Sequence, residues 1–258
     1  MTRVATALLL IPVAVGLIFL APTIVVRLVL AIIAMLCLRE CLRIVEAGGA
    51  PPFDLPAYVS GALLVLVPPV LQGGAFLIGL ATLLLALALS RARALDAALP
   101  AVAGTLFSVI YTCGPFALAA RLHQLSPHWL LGVLLVNWIG DSAALYVGRA
   151  IGRRKMAPRI SPGKTWEGGL ASAAFGALAG AGYLLYMKPV EISPLFAFGF
   201  ALAVNVASQF GDLAESALKR GAKMKDSGRL LPGHGGMLDR MDGALFAFTA
   251  AYLYLAWL

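Results

Sequence analysis

Long apolar runs alternate with short polar connections along this chain, and nine runs come near the length of a bilayer-spanning helix: roughly 4–21, 23–45, 55–72, 74–90, 98–120, 129–150, 168–187, 194–218 and 241–258. A hydrocarbon core takes about 20 helical residues to cross, with a working range of about 17–25. Helices also satisfy their own backbone groups in lipid. Pro68 and Pro69 interrupt the third run, and Gly73-Gly74 form the turn into the fourth. Pro12 and Pro115 lie inside runs, which membrane helices tolerate. The first run follows Arg3 as a signal peptide would. It is long for a signal peptide and no secreted domain follows, so it reads as an uncleaved first helix. The expected fold is all-α, a polytopic membrane protein with about nine transmembrane helices.

Composition agrees. Apolar residues make up 61% of the 258 positions and charged residues only 12%, against about 25% in soluble domains. That excludes a single soluble globule, and the apolar content excludes disorder. The net charge of +8 signals membrane topology and anionic partners before nucleic acid, and no nucleic-acid partner is expected. Cys37 and Cys41 are spaced i,i+4 within an apolar run, and with Cys113 they read as small buried hydrophobes rather than a disulfide or metal pair.

With the N-terminus in the cytoplasm, seventeen of the twenty Lys and Arg fall on the cytoplasmic side, leaving Arg27, Arg121 and Lys188 on the other. That split fits the positive-inside rule and puts the C-terminus outside. The rule does not explain why the basic residues concentrate in two loops, 149–164 and 219–240. Nor does it explain why seven of the twelve acids lie near them. Residues 1–125 therefore read as a transmembrane scaffold, and 126–258 as a catalytic region with cytoplasmic loops. No internal repeat is visible, so the inverted-repeat signature of many transporters is missing.

The sixth helix carries Asn137 and Asp141 on one face, i,i+4. An acid within a span is costly and marks a functional site or a salt bridge to a neighbouring helix. The eighth helix carries a polar stripe, Asn205, Ser208, Asp212, Glu215 and Lys219. Such a stripe either lines a bundle interior or, with two carboxylates a turn apart beside a basic loop, holds a hard cation. After it, Lys219, Arg220, Lys223 and Lys225 offer charge to phosphates. Gly233, Gly235 and Gly236 flank His234, letting backbone N–H groups approach an anion; His234 itself either binds phosphate or shapes the loop. Asp239 and Asp242, i,i+3 at the head of the ninth helix, would complete a carboxylate cluster with Asp212 and Glu215. The other loop holds Arg149 and Ser161-Pro-Gly-Lys164-Thr165. The required first glycine of a P-loop is absent, since residue 158 is Pro, and no strand is expected before it, so that match fails. Ser161, Lys164 and Thr165 instead suit an anion-binding turn at the start of the seventh helix. Carboxylates for a divalent cation beside clustered bases suit phosphoryl or nucleotidyl transfer.

The 27 residues from Ser216 to Asp242 resemble the signature of the phosphatidate cytidylyltransferases, or CDP-diglyceride synthases: Ser216-x-apolar-Lys219-Arg220, Lys225-Asp226, Pro232-x-His234-Gly235-Gly236 and Asp239-Arg240-x-Asp242. Asp141 to Arg149 and Ser161 to Gly168 resemble the family too; the first half matches only in hydropathy. The resemblance implies the reaction CTP + phosphatidic acid → CDP-diacylglycerol + pyrophosphate, in phospholipid biosynthesis at the inner (cytoplasmic) membrane. It implies Mg²⁺, with a monovalent cation such as K⁺ alongside, and a homodimer. Asp212 and Asp239 carry over as metal ligands, joined by Asp242, Asp226 and Glu215. Asp212, Lys219, Asp239 and Asp242 are the expected catalytic residues. Asn137, Asp141, Arg149, Ser161, Lys164, Thr165, Lys219, Arg220, Lys225, His234 and Arg240 are the expected substrate contacts. Two competing classes are an ion-coupled transporter for an anionic substrate, which releases no pyrophosphate, and a CTP-dependent lipid kinase, which releases CDP.

Overall fold

The computed structural model describes residues 2–67, 74–90, 95–228 and 235–256, and for residues 2–10 and 95 the backbone alone. Each of the nine apolar runs is helical: α1 (Thr2–Leu20), α2 (Thr23–Ala47), α3 (Asp54–Leu66), α4 (Gly74–Ser90), α5 (Ala98–Leu125), α6 (Pro127–Ile151), α7 (Trp166–Met187), α8 (Pro194–Gly221) and α9 (Leu238–Leu255). Among the described residues, α5, α6, α7 and α8 are long and apolar enough to cross a membrane. Large apolar side chains stand outward on the bundle, including Ile78 and Leu89 of α4 and Leu195 of α8. Water would penalise that surface and lipid does not. The architecture is that of a multi-pass helical membrane protein.

Local chemistry sets the helix ends. Val67 stops α3 with extended backbone, φ −88° and ψ 140°, because the residue before a proline is pushed out of the helical region. α3 therefore ends at Leu66, and 68–72 of the expected 55–72 lie outside the described residues. In α5 the ladder slips to π-helical over Val109–Cys113, just ahead of Pro115. A proline ring crowds the carbonyl four residues back, here Tyr111, and lacks the N–H that would bond it. Ser126, Thr165 and Ser193 cap α6, α7 and α8 by accepting from His128 N (3.3 Å), Gly168 N (3.2 Å) and Phe196 N (3.1 Å).

The all-α expectation needs one correction. The loop after α6 folds into an antiparallel hairpin, β1 (Lys155–Ala157) and β2 (Ser161–Thr165). Its turn closes with Ile160 N donating to Ala157 O at 3.2 Å, with Pro158 at the position where a fixed φ favours a turn. Arg154 N donates to the Glu167 carboxylate at 3.2 Å, and Trp166 N to Arg154 O at 2.9 Å, fastening the hairpin to the start of α7.

Helices α6 and α7 pack through small residues. A side chain on Gly168 would lie 2.8 Å from Ala144 O, and one on Gly176 3.0 Å from Val136 O. With Ser172 between them, these form a small-xxx-small stripe, the usual route to close approach where lipid supplies no hydrophobic drive. The same device joins α8 to α9. A side chain on Gly211 would lie 2.5 Å from Asp242 O, and one on Gly243 2.5 Å from Ser208 Oγ. The apolar core is continuous, drawing on Ala34 and Leu38 of α2 as well as Phe200 of α8 and Phe248 of α9. Cys37, Cys41 and Cys113 are buried and free within it.

Candidate active site

Where α8 approaches α9, a cavity of about 690 Å³ opens among α6, the hairpin, the start of α7, α8 and α9. Its wall carries Asp141 and Arg149 from α6, Ser161, Lys164 and Thr165 from β2, Asp212 from α8, and Asp239, Arg240 and Asp242 from α9. Nine of the sequence-derived site residues therefore share one cavity. Ser208 of the expected polar stripe, with Ser172 and Gln209, which sequence reasoning did not single out, adds polar wall. Gln209 is fixed by donating to Asn205 Oδ1 (2.7 Å) and Gly169 O (3.1 Å). The signal for it was available, since Gln209 is a further uncharged polar group within the α8 run.

The electrostatics are mixed. Lys164 Nζ lies 2.6 Å from Asp212 Oδ2, both partly exposed, so the hairpin delivers a cation onto the acidic helix. Ser216 Oγ meets Asp212 Oδ1 at 3.5 Å. Asp242 Oδ1 accepts from Gly243 N at 2.7 Å. Asp239 is more heavily engaged. Its Oδ2 accepts from Ser227 N (3.0 Å), Ser227 Oγ (3.0 Å) and Gly236 N (2.8 Å), and its Oδ1 accepts from Lys219 Nζ.

Several expected residues lie elsewhere. Lys219 is buried behind the wall, where its ammonium bridges Glu215 and Asp239. Glu215 is fully buried against that ammonium rather than turned to the cavity. Asp226 and Lys225 are exposed and off the wall, as is Arg220, which donates to Met224 O at 3.3 Å. Asn137 is buried and also off the wall, with neither side-chain polar atom hydrogen-bonded among the described residues. Among the described residues, no three acidic, His or Cys side chains converge closely enough to hold a metal alone. The five expected metal ligands are thus divided: Asp212, Asp239 and Asp242 share the cavity, while Glu215 and Asp226 do not. His234 lies outside the described residues.

The sequence reading also passed over Glu40. This acid of α2, in the half expected to be scaffold, is buried and reaches the N-terminus of α9. An acid inside an apolar run was the available signal, masked by Arg39 and Arg43 on either side.

Set beside known proteins, residues 1–258 match the cytidylyltransferase family. A protein named phosphatidate cytidylyltransferase from Brucella suis is 49% identical over 120 residues, 46% of this chain and 43% of the relative. One of the same name from Bacillus subtilis is 42% identical over 136 residues, 53% of this chain and 50% of the relative. A third, from Staphylococcus aureus, is 36% identical over 153 residues, 58% and 57% of the two chains. The aligned stretches thus span about half the length of these relatives. The family match, by contrast, runs from the first residue to the last, and on that ground the chain belongs to the cytidylyltransferase family.

Proposed function

We propose that the chain transfers a cytidylyl group from CTP to phosphatidic acid, giving CDP-diacylglycerol and pyrophosphate. One observation carries this reading. Asp141, Asp212, Asp239 and Asp242 share a cavity wall with Arg149, Lys164 and Arg240, in a chain that matches the cytidylyltransferase family throughout. The names and identities of the relatives support the choice of substrates. Phosphatidate is an anion whose phosphate oxygen is already an adequate nucleophile, so no general base is required of the protein.

The donors fit Mg²⁺. Carboxylates of Asp212 and Asp242, with Asp141 beside them, are hard oxygen ligands. Mg²⁺ is commonly bound by one or two carboxylates together with substrate phosphates, so a site without three converging protein ligands is compatible with it. The four acids on the wall would also repel the phosphates of CTP and phosphatidate where Arg149, Lys164 and Arg240 do not offset them, which a cation would relieve. When bound, the ion supplies Lewis-acid stabilisation of charge on the phosphates. The chain's own part is positioning. Lys164, carried by the hairpin, exchanges its Asp212 contact for a phosphate. Arg149 and Arg240 flank the phosphates, and the small residues of α7 keep that wall open. The same reading includes about nine membrane crossings, cytoplasmic loops at the inner membrane, a monovalent cation beside Mg²⁺, and a homodimer.

The test is an incubation of purified protein with labelled CTP, Mg²⁺ and phosphatidic acid. Labelled CDP-diacylglycerol with stoichiometric pyrophosphate is expected. Release of CDP would favour a lipid kinase, and no turnover a transporter; either overturns the reading. Lys164→Ala is expected to raise KM for CTP by about tenfold, the lower end for a charge-assisted hydrogen bond because the side chain is partly exposed. Steady-state kinetics check it, and an unchanged KM would remove Lys164 from the phosphate site.

A further inference from the structure

The described ends of the connection between α8 and α9, Ser227-Gly228 and Gly236-Met237, meet a carboxylate that comes from the other half of the chain. Glu40 of α2 is 4% exposed. Its Oε2 accepts from Leu238 N at 2.8 Å and from Ser227 Oγ at 2.7 Å, and its Oε1 accepts from Met237 N at 3.0 Å. The first N–H groups of a helix have no partner within the helix, and the N-cap residue of α9, Met237, supplies no side-chain cap among the described residues. Glu40 supplies that cap across about two hundred residues of sequence. Its negative charge also faces the positive end of the α9 dipole.

Two glycines make the fit possible. A side chain on Gly228 would lie 2.5 Å from Glu40 Oε1, and one on Gly236 would collide with both Glu40 Oε2 and Ser227 Oγ. The sequence suggested that Gly236, with Gly233 and Gly235, offers backbone N–H groups to an anion. In the structure, the anions that Gly236 meets are the chain's own: Glu40 against its Cα, and Asp239 accepting from its N–H at 2.8 Å. Ser227 joins the two carboxylates. Its hydroxyl lies 2.7 Å from Glu40 and 3.0 Å from Asp239, with one proton to give.

We propose that Glu40 is a positioning residue for the reaction described above: by capping α9 and holding Ser227, it fixes where Asp239 and Asp242 stand against Asp212. It touches no substrate. The inference rests on the proposed cytidylyl transfer for its kinetic arm, but its structural arm does not.

Glu40→Gln keeps the volume and removes the charge. Its amide nitrogen must then face either the Met237 N–H or the Leu238 N–H, placing donor against donor. The effect expected on kcat is a loss of about tenfold to a hundredfold, the scale of a small misplacement of catalytic groups. KM for CTP changes less than kcat, because Arg149 and Lys164 lie on elements that Glu40 does not touch and, of the proposed phosphate contacts, Arg240 alone sits on α9. Glu40→Asp, which keeps the charge on a shorter stem, recovers part of that kcat. Hydrogen exchange of the full-length protein in detergent is expected to accelerate at Gly236, Met237 and Leu238 and to stay unchanged at the β1–β2 hairpin. Ser227→Ala gives a second, gentler probe should Glu40→Gln fail to fold, and it is expected to speed exchange at the same amides. Combined with Glu40→Gln, its kinetic loss does not multiply, because both act through one contact. Wild-type kcat and exchange in Glu40→Gln overturn the proposal, as does acceleration spread evenly over the protein, the mark of a merely structural role. If the wild-type protein does not turn over CTP and phosphatidate, the transferase reading fails, while the exchange pattern still decides whether Glu40 clamps the head of α9.

Discussion

Asp242→Asn is expected to lower cytidylyl transfer by about two to three orders of magnitude while leaving the fold as stable as before or slightly more so. The two effects have opposite signs for one reason. Asp242 shares the cavity wall with Asp141, Asp212 and Asp239, and like charges gathered in one cleft repel in the ligand-free protein. Neutralising one relieves that repulsion, and the isosteric amide keeps an oxygen for the 2.7 Å bond from Gly243 N. In the reaction, the same charge helps to hold the divalent cation that lets two anionic substrates meet. A bound metal contributes several kcal/mol of charge stabilisation, and about 1.4 kcal/mol is a factor of ten. Weakening one ligand therefore accounts for a loss of this size. Loss of function with unchanged or improved stability is the usual trade-off at a strained functional site. Initial rates as a function of Mg²⁺ concentration, measured beside a thermal melt, check both halves. A variant with wild-type turnover, or one whose activity falls only because less protein folds, removes Asp242 from the metal site.

What the sequence made legible divides along physical lines. The helices of the described residues follow from the apolar runs, because a segment in lipid must satisfy its own backbone. The meeting of α8 with α9 was foreshadowed by acids at Asp212, Asp239 and Asp242, and the close approach is made at Gly211 and Gly243. Glu215 and Lys219 follow the same stripe as Asp212, yet they lie behind the wall. Periodicity gives the face of a helix, and which part of that face meets a cavity depends on how the neighbouring helices pack. The hairpin was missed because five-residue β2 carries Pro162 and Gly163, both poor strand formers. Glu40 was missed for a different reason: Arg39 and Arg43 hid an acid in an apolar run, and such an acid does not say which helix it will cap.

Lys219→Met is expected to be the most damaging single change to folding, and it separates the position seen here from the phosphate contact the sequence suggested. Lys219 is 8% exposed and Glu215 fully buried, and the one ammonium serves both Glu215 and Asp239. Removing it leaves Asp239 with its Ser227 and Gly236 donors, but it leaves Glu215 charged, or forced to take up a proton, in a dry interior. Breaking a buried pair from one side costs about 3–5 kcal/mol, because the stranded partner keeps its desolvation penalty. That is a large share of the roughly 5–15 kcal/mol by which proteins are ordinarily stable. The expected result is a sharp fall in folded, monodisperse protein. Replacing both members removes the stranded charge, and hydrophobic replacement of buried pairs is often neutral or better. Glu215→Leu combined with Lys219→Met is therefore expected to melt close to wild type. A phosphate-binding Lys219 would behave in the opposite way. The single variant would fold normally and show a raised KM for CTP, and Glu215→Leu would rescue nothing. Thermal melts of the single and double variants in detergent, followed by kinetics on whatever folds, decide between the two.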